Sequence, residues 1–431
     1  FGPRPPAGVL KAMPARILEV TFRRSSVHLI HDVRCLEEGA DLNDSVLDFF
    51  VRLGQALVPE GGLNARRPPV AYLGSHFYDV LCKGGASDGM AGHANVANWA
   101  SRRLGPGGLF SDEVGAFAVP VNETLRDELG DHMGKHWWLA MVLAHGQGDE
   151  AVVLCLDSYS RAETSYEPRH AGGRVEVSSL ARAGVHALVS FRGDAESDPR
   201  AAVLRVGGRA YGEPECELLP SRREGYLHFQ MDSEARTGGD HVLEFGGEPV
   251  RLTLRRRMSA FQRQVSTFLQ GYLQKERQGP STLPPGRGFD KAVLLDVPQQ
   301  ETSNDCGYFI LEYVLCFLHL SSADLRSLAR ASSEELAALP WPAQKDIDSR
   351  KIKLTAGLGL LFVAAQDKGT SDVEVLLRED AELFDQLREL LSDNMAFCEA
   401  AQRVVVRHPD NHNASSADHK RRRLIDATEK K

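Results

Sequence analysis

The apolar positions of the chain change period several times, and each change marks a predicted element. The stretch 44–56, behind Asn43-Asp44, has its apolar residues at helical spacing with an N-cap type of residue in front, and predicts a helix. Residues 92–104 predict another, ending near the Gly-rich 105–108. Ala116–Val121, Trp137–Leu143 and Ala151–Leu156 are short, apolar and bounded by turn formers, which predicts buried strands. The pattern then loosens between 158 and 258. Candidate strands recur at Ala187–Phe191, Val203–Val206, Leu227–Met231 and Val250–Leu254, separated by Gly, Pro and charged residues. They predict an inserted β-rich module at 161–258 or a partly ordered excursion; ~100 structureless residues would be unusual inside a compact domain. From 259 to 277 the helical period returns, with Phe261, Val265, Phe268, Leu269, Tyr272 and Leu273 on one face. Residues 278–288 read as a linker, Lys291–Val297 as a buried strand, and Gly307–Leu320 as a buried helix, apolar nearly all round. Residues 323–339 and 372–403 predict further helices.

Composition narrows the classes. A hydrophobic share of 42% supplies an ample core, and the net charge of −8 argues against broad nucleic-acid binding. No apolar run reaches the length of a membrane span. The chain opens at Phe1 with no clean apolar signal-peptide core. The seven cysteines are scattered and include no CxxC pair, so neither a zinc ribbon nor a dense disulfide framework is predicted, and a reducing compartment, nucleus or cytoplasm, is expected. The end of the chain is polar and carries the basic run Lys420–Arg423, read either as a solvated tail or as a nuclear-import signal.

Cys306 is the candidate nucleophile. The apolar helix pattern begins right after it, and the positive end of a helix macrodipole favours a thiolate. Gly307 permits close backbone packing there. Cys155 and Cys316 lie inside apolar runs and fit buried structural thiols. A nucleophilic cysteine needs a base, and His136 opens the strand-like HWWLAMVL, where its side chain would be held rigidly. Asp157 ends the neighbouring strand-like segment, and two adjacent antiparallel strands would set it beside His136 to fix the imidazole. Gln300 is the candidate side-chain donor to an oxyanion, with the Cys306 N–H as the second donor and Gln299 as the competitor.

Four segments, in order, resemble the Ulp/SENP peptidases, which remove SUMO and related modifiers: LNDSVLDFF at 42–50, VPVN…HWWL across 119–139, LDS at 156–158 and VPQQETSNDCGYF at 297–309. HFYDVL at 76–81 and NVANWASRRL at 95–104 fit that family's early helical region. The resemblance covers roughly 28–160 and 259–355. It implies an α+β, papain-like fold with a small central sheet packed by helices and a large β-rich insertion. The implied division is a flexible segment at 1–27, a protease domain in two parts at 28–160 and 259–355, the insertion at 161–258, a helical extension at 356–407 and a disordered basic tail at 408–431. It further implies that Cys306 attacks the carbonyl of a modifier's C-terminal glycine, that His136 takes the thiol proton and returns it to the leaving amine, that Asp157 holds His136, and that Gln300 helps form the oxyanion hole. Trp137 stands where the family covers the Gly-Gly tail, and Asp41 and Asn43 stand at the other wall, Asp41 replacing the family's usual Trp. Thr302 stands where an asparagine is often found.

The expected partner is SUMO or another ubiquitin-like modifier and its conjugates, with no metal, organic cofactor or nucleic acid. A protease for ubiquitin or another modifier, an acetyl-transferring relative of the same fold, and a non-catalytic modifier-binding protein are the alternatives. Replacing residues 170–255 by a short Gly/Ser linker is expected to leave hydrolysis of a small Gly-Gly reporter roughly unchanged.

Overall fold

The structure is a computed structural model that describes residues 17–59, 63, 68–86, 88–97, 99–100, 109, 113–126, 132–143, 151–164, 175–193, 198–219, 224–245, 248–277, 291–392 and 394–408. It has α+β architecture. Among these residues a five-stranded sheet runs through the centre in the order β16-β6-β5-β4-β3, formed by β3 (Val70–Tyr72), β4 (Ala116–Arg126), β5 (His132–Leu143), β6 (Val152–Leu156) and β16 (Lys291–Leu295). The outer pairs are parallel and the inner ones antiparallel. Both faces are covered, which is why these strands read as continuous apolar runs. Along β5, Trp138, Ala140 and Val142 face one core, and Leu139, Met141 and Leu143 face the other.

The first core is closed by α2 (Phe77–Leu81), α3 (Gly89–Val96) and α4 (Ala260–Arg277). The second is built on α1 (Asp44–Leu57) and α5 (Cys306–Leu318), the latter buried along its whole length. It also takes in α6 (Ser322–Leu328), α7 (Ser333–Ala337), α8 (Gln344–Lys368), α9 (Val373–Glu379), α10 (Ala381–Leu391) and α11 (Met395–Arg407). Two boundaries from the sequence need correction. The division at 355/356 falls inside α8, whose buried Ile347, Leu354, Leu358, Leu361 and Ala365 lie along one stripe against the second core. The C-terminal helices therefore share one core with α5 and form no separate layer. Within the segment 1–27, β1 (Glu19–Phe22) and β2 (Ser25–His28) form a hairpin that buries Val20, Phe22 and Val27. Its turn residues Arg23 and Arg24 both have positive φ, the twist a tight hairpin needs although neither is glycine. Residues 1–15, the linker 278–288 and the basic run at 420–423 lie outside the described residues.

The insertion is a nine-stranded sheet among the described residues, from β7 (Arg161–Thr164) to β15 (Glu248–Arg256), in the order β11-β10-β14-β15-β7-β8-β9-β13-β12. The other members are β8 (Val175–Ala183), β9 (His186–Gly193), β10 (Val203–Val206), β11 (Arg209–Tyr211), β12 (Glu215–Leu218), β13 (Glu224–Gln230) and β14 (Gly239–Phe245). It has its own core, centred on Val189, Leu204, Leu227 and Leu243.

Candidate active site

The site is assembled where β5, the end of β6 and the start of α5 meet. His136 lies on β5, with its ring Nε2 2.7 Å from Asp157 Oδ1. Asp157 directly follows β6, and an Asx-type turn holds it there: the Tyr159 N–H donates to Oδ1 (2.8 Å), and the Ser160 hydroxyl donates to the Asp157 carbonyl (2.8 Å). The other carboxylate oxygen accepts from Gln262 Nε2 at 2.7 Å. Gln262 is oriented by a capping box at the start of α4, in which its Oε1 accepts from the Ser259 N–H while its own N–H donates to the Ser259 hydroxyl. Three donors on a buried carboxylate favour its ionised form.

The third member is Cys306, first residue of α5, whose thiol interacts with the His136 ring. With Nε2 committed to Asp157 as the donor, Nδ1 is the nitrogen left for the sulfur, the tautomer that can accept a thiol proton. Burial alone would lower the basicity of His136, but the charge and hydrogen bond of Asp157, together with Cys306, outweigh it and raise its pKa from 6.5 to about 10. Burial likewise works against ionisation of Asp157, yet the His136 charge and hydrogen bond, the Tyr159 N–H and the Arg256 guanidinium leave its pKa below the ordinary carboxylate value. The raised basicity of His136 suits it to take the proton of the Cys306 thiol, which stands at the first turn of α5. Burial pushes the thiols of Cys35 and Cys398 up to about 11 and that of Cys155 to about 12.

The loop before Cys306 separates the two glutamines. Gln299 is fully buried and spent internally: its Nε2 donates to the carbonyls of Val297 (2.6 Å) and Asp157 (3.3 Å), and its Oε1 accepts from the Ser160 N–H (2.7 Å). Gln300 commits one N–H to the Thr302 carbonyl (2.8 Å) while its Oε1 accepts from the Ser158 hydroxyl (2.8 Å), which leaves a second amide N–H for a ligand. Further along, Asp305 forms an ion pair with Lys351 (2.5 Å) and accepts from Gln344 (2.5 Å), and Gln344 also accepts from the Glu301 N–H, so α8 pins this loop. Gly307 earns its place by contact: a Cβ there would lie 2.9 Å from Leu42 Cβ, so the start of α5 rests directly on the 40–43 segment.

The residues proposed for the tail-binding walls divide. Trp137 is partly buried against the second core, on the face of β5 opposite His136 and Trp138. Asp41 is exposed. Asn43 is used within the chain: its Oδ1 caps α1 through the Val46 N–H (2.8 Å), and its Nδ2 donates to Asp32 (3.0 Å). Sequence reasoning missed Gln262, Arg256 and Glu123. The Ser259-x-x-Gln262 spacing was a legible capping signal, but its second use on Asp157 was not. Glu123 on β4 stands directly across from His136 in the strand register, so the two share a face of the sheet. Burial and the nearby Asp157 charge raise the Glu123 pKa, partly offset by His136 and Arg161. Among the described residues no group of His, Cys, Asp and Glu side chains is arranged to hold a metal ion.

No protein-family model matches the chain, and no curated protein matches it. Among solved structures it is similar to the C-terminal Ulp1 protease domain in complex with Smt3, the yeast ortholog of SUMO, at 14% identity over 80% of this chain and 88% of that one, with a TM-score of 0.39. A de-sumoylating protease is 14% identical over 88% of this chain and 99% of the other, with a TM-score of 0.40. Ulp1 with its catalytic cysteine oxidised to a sulfinic acid is 15% identical over 80% and 90%, with a TM-score of 0.38.

Proposed function

We propose that this protein is a cysteine peptidase that cleaves after the C-terminal Gly-Gly of a ubiquitin-like modifier, SUMO in the first instance, for deconjugation or precursor processing. The observation that carries the reading is the set Cys306–His136–Asp157 at a helix N-terminus, with Gln300 on the adjoining loop. The Cys306 thiol proton passes to His136 Nδ1, and the sulfur then attacks the glycine carbonyl. The Cys306 N–H and the Gln300 amide receive the oxyanion. The tetrahedral intermediate then collapses, His136 protonates the departing amine, and water releases the acyl group from sulfur.

The site is nearly closed. Cys306 is 3% exposed, and His136 and Gln300 are each 4% exposed. A chain without side chains reaches such a sulfur more readily than a branched one, which favours a Gly-Gly terminus as the substrate. The choice of SUMO rests on the resemblance of the four sequence segments. The test is hydrolysis of C-terminal fluorogenic amides of SUMO, ubiquitin and other modifiers. The account expects the highest kcat/KM with SUMO. Preference for ubiquitin would replace the substrate assignment, and no turnover of any modifier, with binding retained, would support a non-catalytic binder.

A further inference from the structure

The chain leaves the site at Ser160, makes the whole nine-stranded insertion, and returns at Arg256. Polar contacts at these two ends meet the loops that carry the catalytic set. Arg256, the last residue of β15, has a side chain only 10% exposed; its Nη2 donates to the Ser160 hydroxyl and to the Leu295 carbonyl, each at 2.7 Å, and its Nη1 lies 3.4 Å from Asp296. Ser160 is the residue that closes the turn around Asp157 and meets Gln299. A second contact comes from the 232–238 turn of the insertion: the Ser233 carbonyl accepts the Gln299 N–H at 2.7 Å, and the Thr237 N–H donates to Asp296 at 3.3 Å. A third is the β8–β9 turn, where a Cβ on Gly184 would lie 2.8 Å from the Tyr159 ring. Buried Arg182 donates to the Gly184 and Arg236 carbonyls and so ties the second contact to the third. These bonds hold both the Asp157 turn and the Gln299–Gln300 loop.

We propose that Arg256 is a positioning residue for the catalytic set, and that the insertion is thereby a working part of the site. This corrects the expectation that residues 170–255 are peripheral: their replacement by a linker removes the Ser233 carbonyl from Gln299, Gly184 from Tyr159, and Arg182 from both turns. The inference rests on Cys306 being the nucleophile that His136 activates, and does not depend on which modifier is cut.

The charges involved fix the direction of the test. Asp157 is faced by His136 on β5, Arg256 on β15, Glu123 on β4, Cys155 on β6 and Tyr313 on α5. Arg256 in turn faces Asp157, Asp296 and Tyr313. Its cation opposes protonation of the site as pH falls, and Asp296 partly neutralises that cation.

The experiment follows the rate of Cys306 alkylation by iodoacetamide against pH, mapped by peptide mass, in the full chain and in Arg256→Gln, Arg256→Lys and Asp296→Asn. Arg256→Gln is expected to move the acid edge of reactivity up by about 0.5–1 pH unit. Arg256→Lys restores the edge while turnover of the Gly-Gly amide stays reduced, because an ammonium cannot meet Ser160 and Leu295 with one nitrogen and Asp296 with another as the guanidinium does. Asp296→Asn moves the edge down. An Arg256→Gln edge at the wild-type pH with unchanged turnover overturns the inference. If that variant does not fold, an unmoved edge in Asp296→Asn, whose side chain is partly exposed, overturns it equally. Wild-type Cys306 reacting no faster than Cys82 would instead sink the proposed function, so the two failures are distinguishable.

Discussion

Replacing Asp157 with asparagine keeps the shape of the side chain and removes its charge. Two unit charges about 4 Å apart at an effective dielectric near 20 interact by about 4 kcal/mol, or about 3 pH units at 1.36 kcal/mol per unit. His136, raised to about 10 in the intact site, therefore falls toward about 7 in Asp157→Asn. The sign is fixed by linkage. The imidazolium is complete below its pKa and is lost as pH rises through it, so the alkaline edge of Gly-Gly amide hydrolysis, which needs that imidazolium to protonate the leaving amine, moves down by about 2–3 pH units. The same reasoning gives the wild type a contribution to stability that is fully present below pH 6.5 and lost as pH rises toward 10. The variant also loses stability at neutral pH. Oδ1 accepts from His136 and Tyr159 and Oδ2 from Gln262, so either orientation of an asparagine amide sets N–H against N–H, at a cost of about 1–3 kcal/mol. The assay is the pH profile of kcat/KM for a Gly-Gly amide from acid to alkaline pH, with thermal unfolding followed in parallel. An alkaline edge that stays in place while the rate simply falls would refute this electrostatic reading of the His–Asp pair.

The two adjacent glutamines should respond differently. Gln300→Ala should lower kcat by about 10²–10³-fold with little change in melting temperature, whereas Gln299→Ala, which strips hydrogen bonds from a buried turn, should lower stability by about 1–3 kcal/mol, read by denaturant unfolding. Gly307→Ala forces a methyl against Leu42 and should cost about 1–3 kcal/mol while slowing Cys306 alkylation, because the start of α5 must shift. Glu123→Gln removes a carboxylate that attracts the imidazolium, so it should move the alkaline edge down by about a few tenths of a pH unit, small because the side chain is partly exposed.

Much of the site was legible because each residue announced itself locally. His136 opened a strand, Asp157 closed one, and Cys306 preceded an apolar helix; β5 beside β6, with α5 across them, brings all three together. What the sequence hid was longer in range. Arg256 and Ser233 look like ordinary residues of a polar, Gly-rich stretch, and only the folded insertion carries them back to Gln299 and Ser160. The role of Asn43 was obscured by its neighbourhood, since the same asparagine serves as helix cap and as a candidate wall. The first half of helix α8 escaped prediction because its buried stripe there includes the charged Arg350, which forms a buried ion pair with Glu312. The β1–β2 hairpin escaped because its turn is made by Arg23-Arg24 in place of the usual Asn or Gly.

The central claim is that the sulfur of Cys306 is the atom that meets a modifier's terminal glycine. Its most direct measurement is peptide mapping of the protein after incubation with SUMO carrying a C-terminal propargylamide. The account predicts a single covalent adduct on Cys306, absent in Cys306→Ala and strongly slowed in His136→Ala. An adduct on any other cysteine, or none with SUMO, ubiquitin or related probes, would contradict it.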